Sequence, residues 1–158
     1  MPIEIDGSSE NLAPSYLPLW VSPNPSQIIE YQPEIVQGQA INFTTGPIID
    51  PNNNDILFWR VFLNYQGRYY NAIFRSNRGE GITADQREQG ISFQVSPCVD
   101  FKLFNYASPY RVELIVSDRP FKSNQTEESP LVNQVLSDGA YSFKIEWFIR
   151  YDQALCPL

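Results

Sequence analysis

The sequence predicts an all-β fold, an antiparallel β-sandwich of about seven strands with an extended proline-rich N-terminal arm. Three observations carry this. Short runs of alternating apolar and polar residues recur from Gln39 to Tyr151, turn chemistry separates them, and no run keeps a helical period over an ordinary helix length. With 158 residues the chain can bury one substantial core but not two of ordinary size. Its 42% apolar and 14% aromatic content exceeds that of disordered chains, so it folds.

Residues 1–33 form the arm and residues 34–158 the sandwich domain. The arm holds Pro2, Pro14, Pro18, Pro23, Pro25 and Pro33 together with Gly7-Ser8-Ser9, and proline neither donates to a ladder nor sits inside a helix. Tyr16-Leu17, Leu19-Trp20-Val21 and Ile28-Ile29 would be costly to leave wet, so parts of the arm should lie against the body. A first short strand is expected near Glu34-Ile35-Val36.

The next strand is Gln39 to Thr45, ended by Gly46-Pro47. After the turn Asp50-Pro51-Asn52-Asn53-Asn54-Asp55 comes Ile56 to Tyr65, whose positions Leu57, Trp59, Val61, Leu63 and Tyr65 make one apolar face. Gln66-Gly67 turns the chain into Arg68 to Arg75, giving a hairpin. Ser76 to Gly90 is polar, with room for one helical turn. Ile91 to Val95 alternates and stops at Pro97, and Val99, Phe101 and Leu103 alternate again. Tyr110 to Asp118 is the cleanest strand, with Val112, Leu114 and Val116, together with Trp59 of the earlier strand, as core. The last run, Ala140 to Tyr151, sets Tyr141, Phe143, Ile145, Trp147 and Ile149 against Ser142, Lys144, Glu146 and Arg150.

The net charge of −7 belongs to the first third of the chain. Met1 to Trp59 carries seven acidic residues and neither lysine nor arginine, and from Arg60 onward eleven acidic residues meet eleven basic ones. A chain without a basic run lacks the field that neutralises phosphates, so nucleic acid is excluded as a partner. No stretch approaches the length of apolar sequence that crosses a membrane as a helix. The chain has no histidine, which removes Ser-His-Asp and Cys-His catalysis. Cys98 and Cys156 stand fifty-eight positions apart and have too few companions for a zinc site, which leaves a disulfide or two thiols. The disulfide is expected, because it would tie the last strand to the body, and it would place maturation in an oxidising compartment. Met1 to Asp6 has neither a basic nor an apolar signal-peptide region. Taken literally that points to the cytoplasm, which stands as the alternative; the cysteine pair and the lack of basic residues at the start favour an extracytoplasmic protein whose signal or lipid anchor has been removed.

Four candidate chemistries follow. Asp50, Asn52, Asn54 and Asp55 offer closely spaced oxygen ligands of the type calcium takes, with Asp118 or Asp138 as additional donors, although the same residues serve an ordinary turn. No cofactor is assigned, and calcium is the candidate. Arg68, Tyr69, Tyr70, Phe74, Arg75 and Arg78 crowd one hairpin and could form a ligand or partner surface, since rigid rings beside arginines make good contacts. Carboxylate pairs for glycoside hydrolysis, Asp50 with Asp55 or Glu127 with Glu128, lie in turn-rich sequence where carboxylates are ordinary. No catalytic residue is assigned. Asn42-Phe43-Thr44 and Asn124-Gln125-Thr126 match the glycosylation sequon, the first inside a predicted strand.

Tyr110-x-Val112-x-Leu114-x-Val116-x-Asp118, and Asp50-Pro51 followed by Asp55, Leu57 and Trp59, resemble the penultimate strand and the tryptophan-bearing third strand of immunoglobulin-like domains of secreted bacterial proteins, in the broad PKD or cadherin-like sense. These stretches cover about a third of the chain. The resemblance implies an immunoglobulin-like sandwich at a cell surface or in a periplasm, and no catalytic residue. The chain departs from it in two ways: it has no cysteine pair on the strands of the antibody-type bridge, and Phe121 to Asp138 is long for one connection. The expected function is a non-enzymatic structural, adhesion or protein-interaction module, with a protein or glycan as partner. A glycan- or calcium-dependent binding module is the alternative, and a hydrolase the second alternative.

Overall fold

Period-two alternation places strands where it is longest. The computed structural model describes residues 13–51, 56–65, 68–76, 87–101, 109–121, 128–129 and 139–157, with 63–65, 68–76 and 128–129 described for the backbone. Its elements are mostly strands, with few helices. They are β1 (Ser15–Tyr16), β2 (Ile29–Glu30), β3 (Ile41–Thr44), β4 (Ile48–Ile49), β5 (Phe58–Tyr65), β6 (Arg68–Ser76), β7 (Ser92–Val95), β8 (Tyr110–Ser117), β9 (Glu128–Ser129) and β10 (Ser142–Arg150). Between them lie helical turns α1 (Pro33–Val36) and α2 (Pro97–Asp100) and two 3-10 turns, Pro18–Trp20 and Gln153–Leu155.

A six-stranded sheet runs in the order β2-β10-β8-β5-β6-β9, and two-stranded sheets pair β1 with β4 and β3 with β7. All neighbours are antiparallel except β2, which runs parallel to the end of β10 through Ile149↔Ile29 and Arg150↔Glu30. The expected hairpin forms, with Tyr65 opposite Arg68 and a register shift between Arg60 and Phe62.

Val112, Leu114 and Val116 on β8 and Ile145, Trp147 and Ile149 on β10 are fully buried in one cluster with Phe43, Phe93 and Val95. Each such side chain contributes about 1.5–3 kcal/mol by leaving water. The Trp147 ring lies 4.9 Å from Phe43 and 5.9 Å from Phe93, which brings the β3–β7 pair against this face of the large sheet. Tyr16 meets Phe143 at 5.0 Å, and Ile48 joins the same core, so the β1–β4 pair shares it. Trp59 packs at the margin of the cluster, half-buried and 6.3 Å from Phe93.

From residue 13 the proline-rich segment takes part in these sheets. β1 and β2 are strands, Ser22 bridges Thr44, Val21 and Tyr31 are buried, and the Trp147 indole donates to the Pro23 carbonyl at 2.7 Å.

Two expectations need correction. Residues 34–36 are helical, because Pro33 pre-sets the first turn, Glu34 favours its N-terminal end, and Gln37 and Gly38 end it at positive φ. Val99 and Phe101 belong to a helical turn and its end. Pro97 opens that turn, and the Asp100 carboxylate accepts from the Ser96 amide at 2.7 Å. Beyond the part-exposed Arg111, β8 is covered on both faces. Glu113, Ile115 and Ser117 are as buried as the residues opposite them, because β8 is central and the outer side of its neighbour β5 is covered at Phe62, which meets Phe121. Glu113 is held there by Arg111 at 3.2 Å and Lys144 at 3.9 Å.

Two glycines clamp the end of the β3–β7 pair. Gly90 has φ +74°, and a Cβ there would fall 2.0 Å from the Gly46 carbonyl oxygen. Thr45 fixes this approach, its hydroxyl donating to the Gly46 carbonyl at 2.7 Å and accepting from the Ile91 amide at 3.0 Å. Gly90→Ala is expected to cost about 1–3 kcal/mol through the positive φ and the clash. Urea unfolding would show it as a lower midpoint at unchanged slope.

Candidate functional site

The sequence alternates polar with apolar on β3 and β7, so the two strands face Asn42 and Thr44, and Ser92 and Gln94, to the same side. Register sets Asn42 opposite Gln94 and Thr44 opposite Ser92. On the reverse side Phe43 and Phe93 stack at 5.0 Å with planes 5° apart, anchoring the pair to the core. Ser22 completes the edge. Its amide donates to the Thr44 carbonyl at 3.0 Å and its carbonyl accepts from the Thr44 amide at 2.8 Å.

The result is an open groove of about 570 Å³ lined by Ser22, Asn42, Phe43, Thr44, Ser92, Phe93 and Gln94. Hydroxyl and carboxamide groups both donate and accept hydrogen bonds, and none of the lining side chains is charged. Such a surface offers hydrogen-bond donors and acceptors without a formal charge. Asn42, in the first sequon, is exposed here, while Asn124 lies outside the described residues. Sequence reasoning missed the groove because Ser22 comes from the proline-rich segment. The signal available was the polar half of the two alternations.

Of the residues singled out from sequence, Asn42 lines this groove, and none of the calcium, arginine–aromatic or carboxylate-pair candidates is among its lining residues. Asp50 is buried, and Asn52, Asn54 and Asp55 lie outside the described residues. Among the described residues no group of three or more Asp, Glu, Cys or His could hold a metal ion. Asp118 has a structural task, its carboxylate accepting from the Tyr141 amide at 2.8 Å. Asp138, Glu127 and Arg78 are outside the described residues. Arg68, Tyr69, Tyr70, Phe74 and Arg75 share β6, where Tyr69 and Tyr70 pair with β5 on one side and β9 on the other. The side chains of that surface, and of Glu128, are not among those described.

Cys98 and Cys156 are joined, with Cα atoms 5.7 Å apart. The bridge ties α2 to the turn after β10. Beside it the Tyr151 hydroxyl donates to the Pro97 carbonyl at 2.9 Å and lies 2.6 Å from Gln153 Oε1, above a cluster of Phe101, Tyr110 and Tyr31. Burial, and then the neighbouring Tyr110, Tyr31 and Asp100, push the Tyr151 phenol well above its usual range, and burial raises Tyr31. A raised folded-state value means that stability from the neutral phenols is complete below about pH 10 and is lost as pH rises beyond it. The melting temperature is expected to fall more steeply above about pH 10 in the parent protein than in Tyr151→Phe.

Comparison of the chain with protein-family models, curated proteins and solved structures finds no match. Among the described residues no helix is long and apolar enough to cross a membrane.

Proposed function

We propose that this chain is a non-enzymatic, extracytoplasmic interaction module with an immunoglobulin-like β-sandwich, and that it binds a neutral glycan through the Ser22–Asn42–Thr44–Ser92–Gln94 groove. The observation that carries the binding reading is the groove's lining, wholly uncharged and rich in groups that both donate and accept.

Several features support the sandwich. Two smaller sheets share a core with one face of the six-stranded sheet. The chain bridges β3 at Ser22 and then runs parallel to β10 at Ile29, so one segment serves two sheets, an arrangement suited to two packed layers. The disulfide supports maturation in an oxidising compartment and hence export. A lipid anchor would suit a surface module of this kind.

The test is a glycan array followed by calorimetric titration of the strongest neutral hit. Saturable binding is expected, and Asn42→Ala with Gln94→Ala should weaken it by roughly ten- to a hundredfold, since each loses about 1 kcal/mol or more of hydrogen bonding. Absence of saturable binding, or binding indifferent to both substitutions, would overturn the reading.

A further inference from the structure

The chain has three tryptophans. Trp147 is fully buried and Trp59 packs half-buried at the margin of the core, whereas Trp20 is 63% exposed. An indole is a large apolar surface, costly to leave in water and enriched where a protein meets a ligand or partner. Its place in the fold narrows the ligand.

Trp20 ends the 3-10 turn Pro18–Trp20. Pro18 fixes the first φ of that turn, and the Trp20 and Val21 amides close it by donating to the Leu17 and Pro18 carbonyls at 3.0 and 3.3 Å. Val21 is buried, and beyond it Ser22 makes its two-bond bridge to Thr44, so the tryptophan is anchored two residues from one edge of the groove. Gly46 anchors it from the other direction. The Gly46 amide donates to the Thr44 hydroxyl at 3.3 Å, and a Cβ on Gly46 would fall 2.4 Å from Trp20 Cβ and 3.3 Å from its Cγ. A side chain there would displace the base of the indole. Trp20 does not line the groove itself. It stands at the end marked by the Thr44–Ser92 pair, on a backbone held in place before any ligand arrives.

A ligand reaching from the groove onto Trp20 needs two kinds of surface: hydroxyls for the Ser, Thr, Asn and Gln groups, and an apolar face for the indole. A hexopyranose with every ring substituent equatorial has both, because its hydroxyls project outward round the ring while its axial C–H bonds line the faces. We propose that Trp20 is a stacking subsite contiguous with the groove, a role that rests on the groove's binding a neutral glycan. The ligand is then a β-1,4-linked oligosaccharide of such neutral sugars, with one ring hydrogen-bonded in the groove and the next laid on the indole.

Glucose and cellobiose separate the subsite from the groove, with calorimetry on the whole chain as the readout. Affinity is expected to rise roughly three- to tenfold from glucose to cellobiose, as the second ring reaches the indole. Trp20→Ala, which keeps the Cβ seated on Gly46, should erase that gain while circular dichroism stays that of the parent. Trp20→Phe, which keeps a smaller ring, should restore part of it. Fluorescence reads the contact directly: cellobiose should move the emission of the exposed tryptophan to shorter wavelength and shield it from iodide, and Trp20→Ala should abolish both effects. A gain with chain length that survives Trp20→Ala, an emission unmoved by bound cellobiose, or saturable binding of other neutral glycans but not of these two would overturn the subsite and leave the groove standing. No saturable binding of any neutral glycan would overturn both.

Discussion

Replacing Cys98 and Cys156 together by serine is expected to lower stability by about 4 kcal/mol, the largest single loss available outside the core. The bridge spans 58 residues, and in the chain-entropy account a closed loop of that length removes about 4 kcal/mol of freedom from the unfolded chain. It also holds α2 against the final turn, where the Gln153 carboxamide donates to the Cys98 carbonyl at 3.5 Å and Tyr151 donates to Pro97. Those bonds remain in the folded double variant, so its native structure should change little while its melting temperature drops by roughly 10 °C. Calorimetry on the parent, oxidised and reduced, gives the same comparison without substitution. A shift within about 1 °C would mean that the loop is already restricted in the unfolded chain.

Trp147→Ala should cost about 3–5 kcal/mol. The indole is fully buried and makes edge-on contacts with both Phe43 and Phe93, and its N–H supplies the bond to the Pro23 carbonyl. One side chain thus joins β10 to the β3–β7 pair and to the crossing between Ser22 and β2. Truncation leaves a cavity at that junction and removes a donor from the Pro23 carbonyl. Trp147→Phe keeps part of the apolar contact with its smaller ring and loses the bond, and so should fall between the parent and the alanine variant. Unfolding midpoints in urea rank the three. Because the groove is the far side of the ribbon that Trp147 supports, ligand affinity should weaken in the alanine variant even where it remains folded.

The strands that form the centre of the large sheet were legible because their alternation is long. Tyr110 to Asp118 named Val112, Leu114 and Val116 as core, and all three are buried, while Trp59, named with them, is half-buried; on the apolar face of the last run Ile145, Trp147 and Ile149 are buried, Phe143 is half-buried and Tyr141 is exposed. Alternation cannot reveal which strand is covered on both sides. Glu113 and Ile115 on β8 and Phe62 on β5 look solvent-facing in the sequence, and only the order β10-β8-β5 and the return of Phe121 bury them. Short elements were misread where proline capping outweighed pattern: Pro33 and Pro97 each start a helical turn in a stretch whose apolar spacing resembles a strand. Elimination left a disulfide or two thiols, and the place of Cys156 just after the last strand favoured the bridge that forms. The groove stayed hidden because it needs Ser22, distant in sequence, beside Thr44.

The most direct measurement of the central claim is a titration of isotopically labelled protein with neutral glycans, followed by amide chemical shifts. The account predicts saturable changes clustered at Ser22, Asn42, Thr44, Ser92 and Gln94 that disappear when Asn42 and Gln94 are both alanine. Changes centred instead on Arg68 to Arg75, or no saturable change with any neutral glycan, would contradict it.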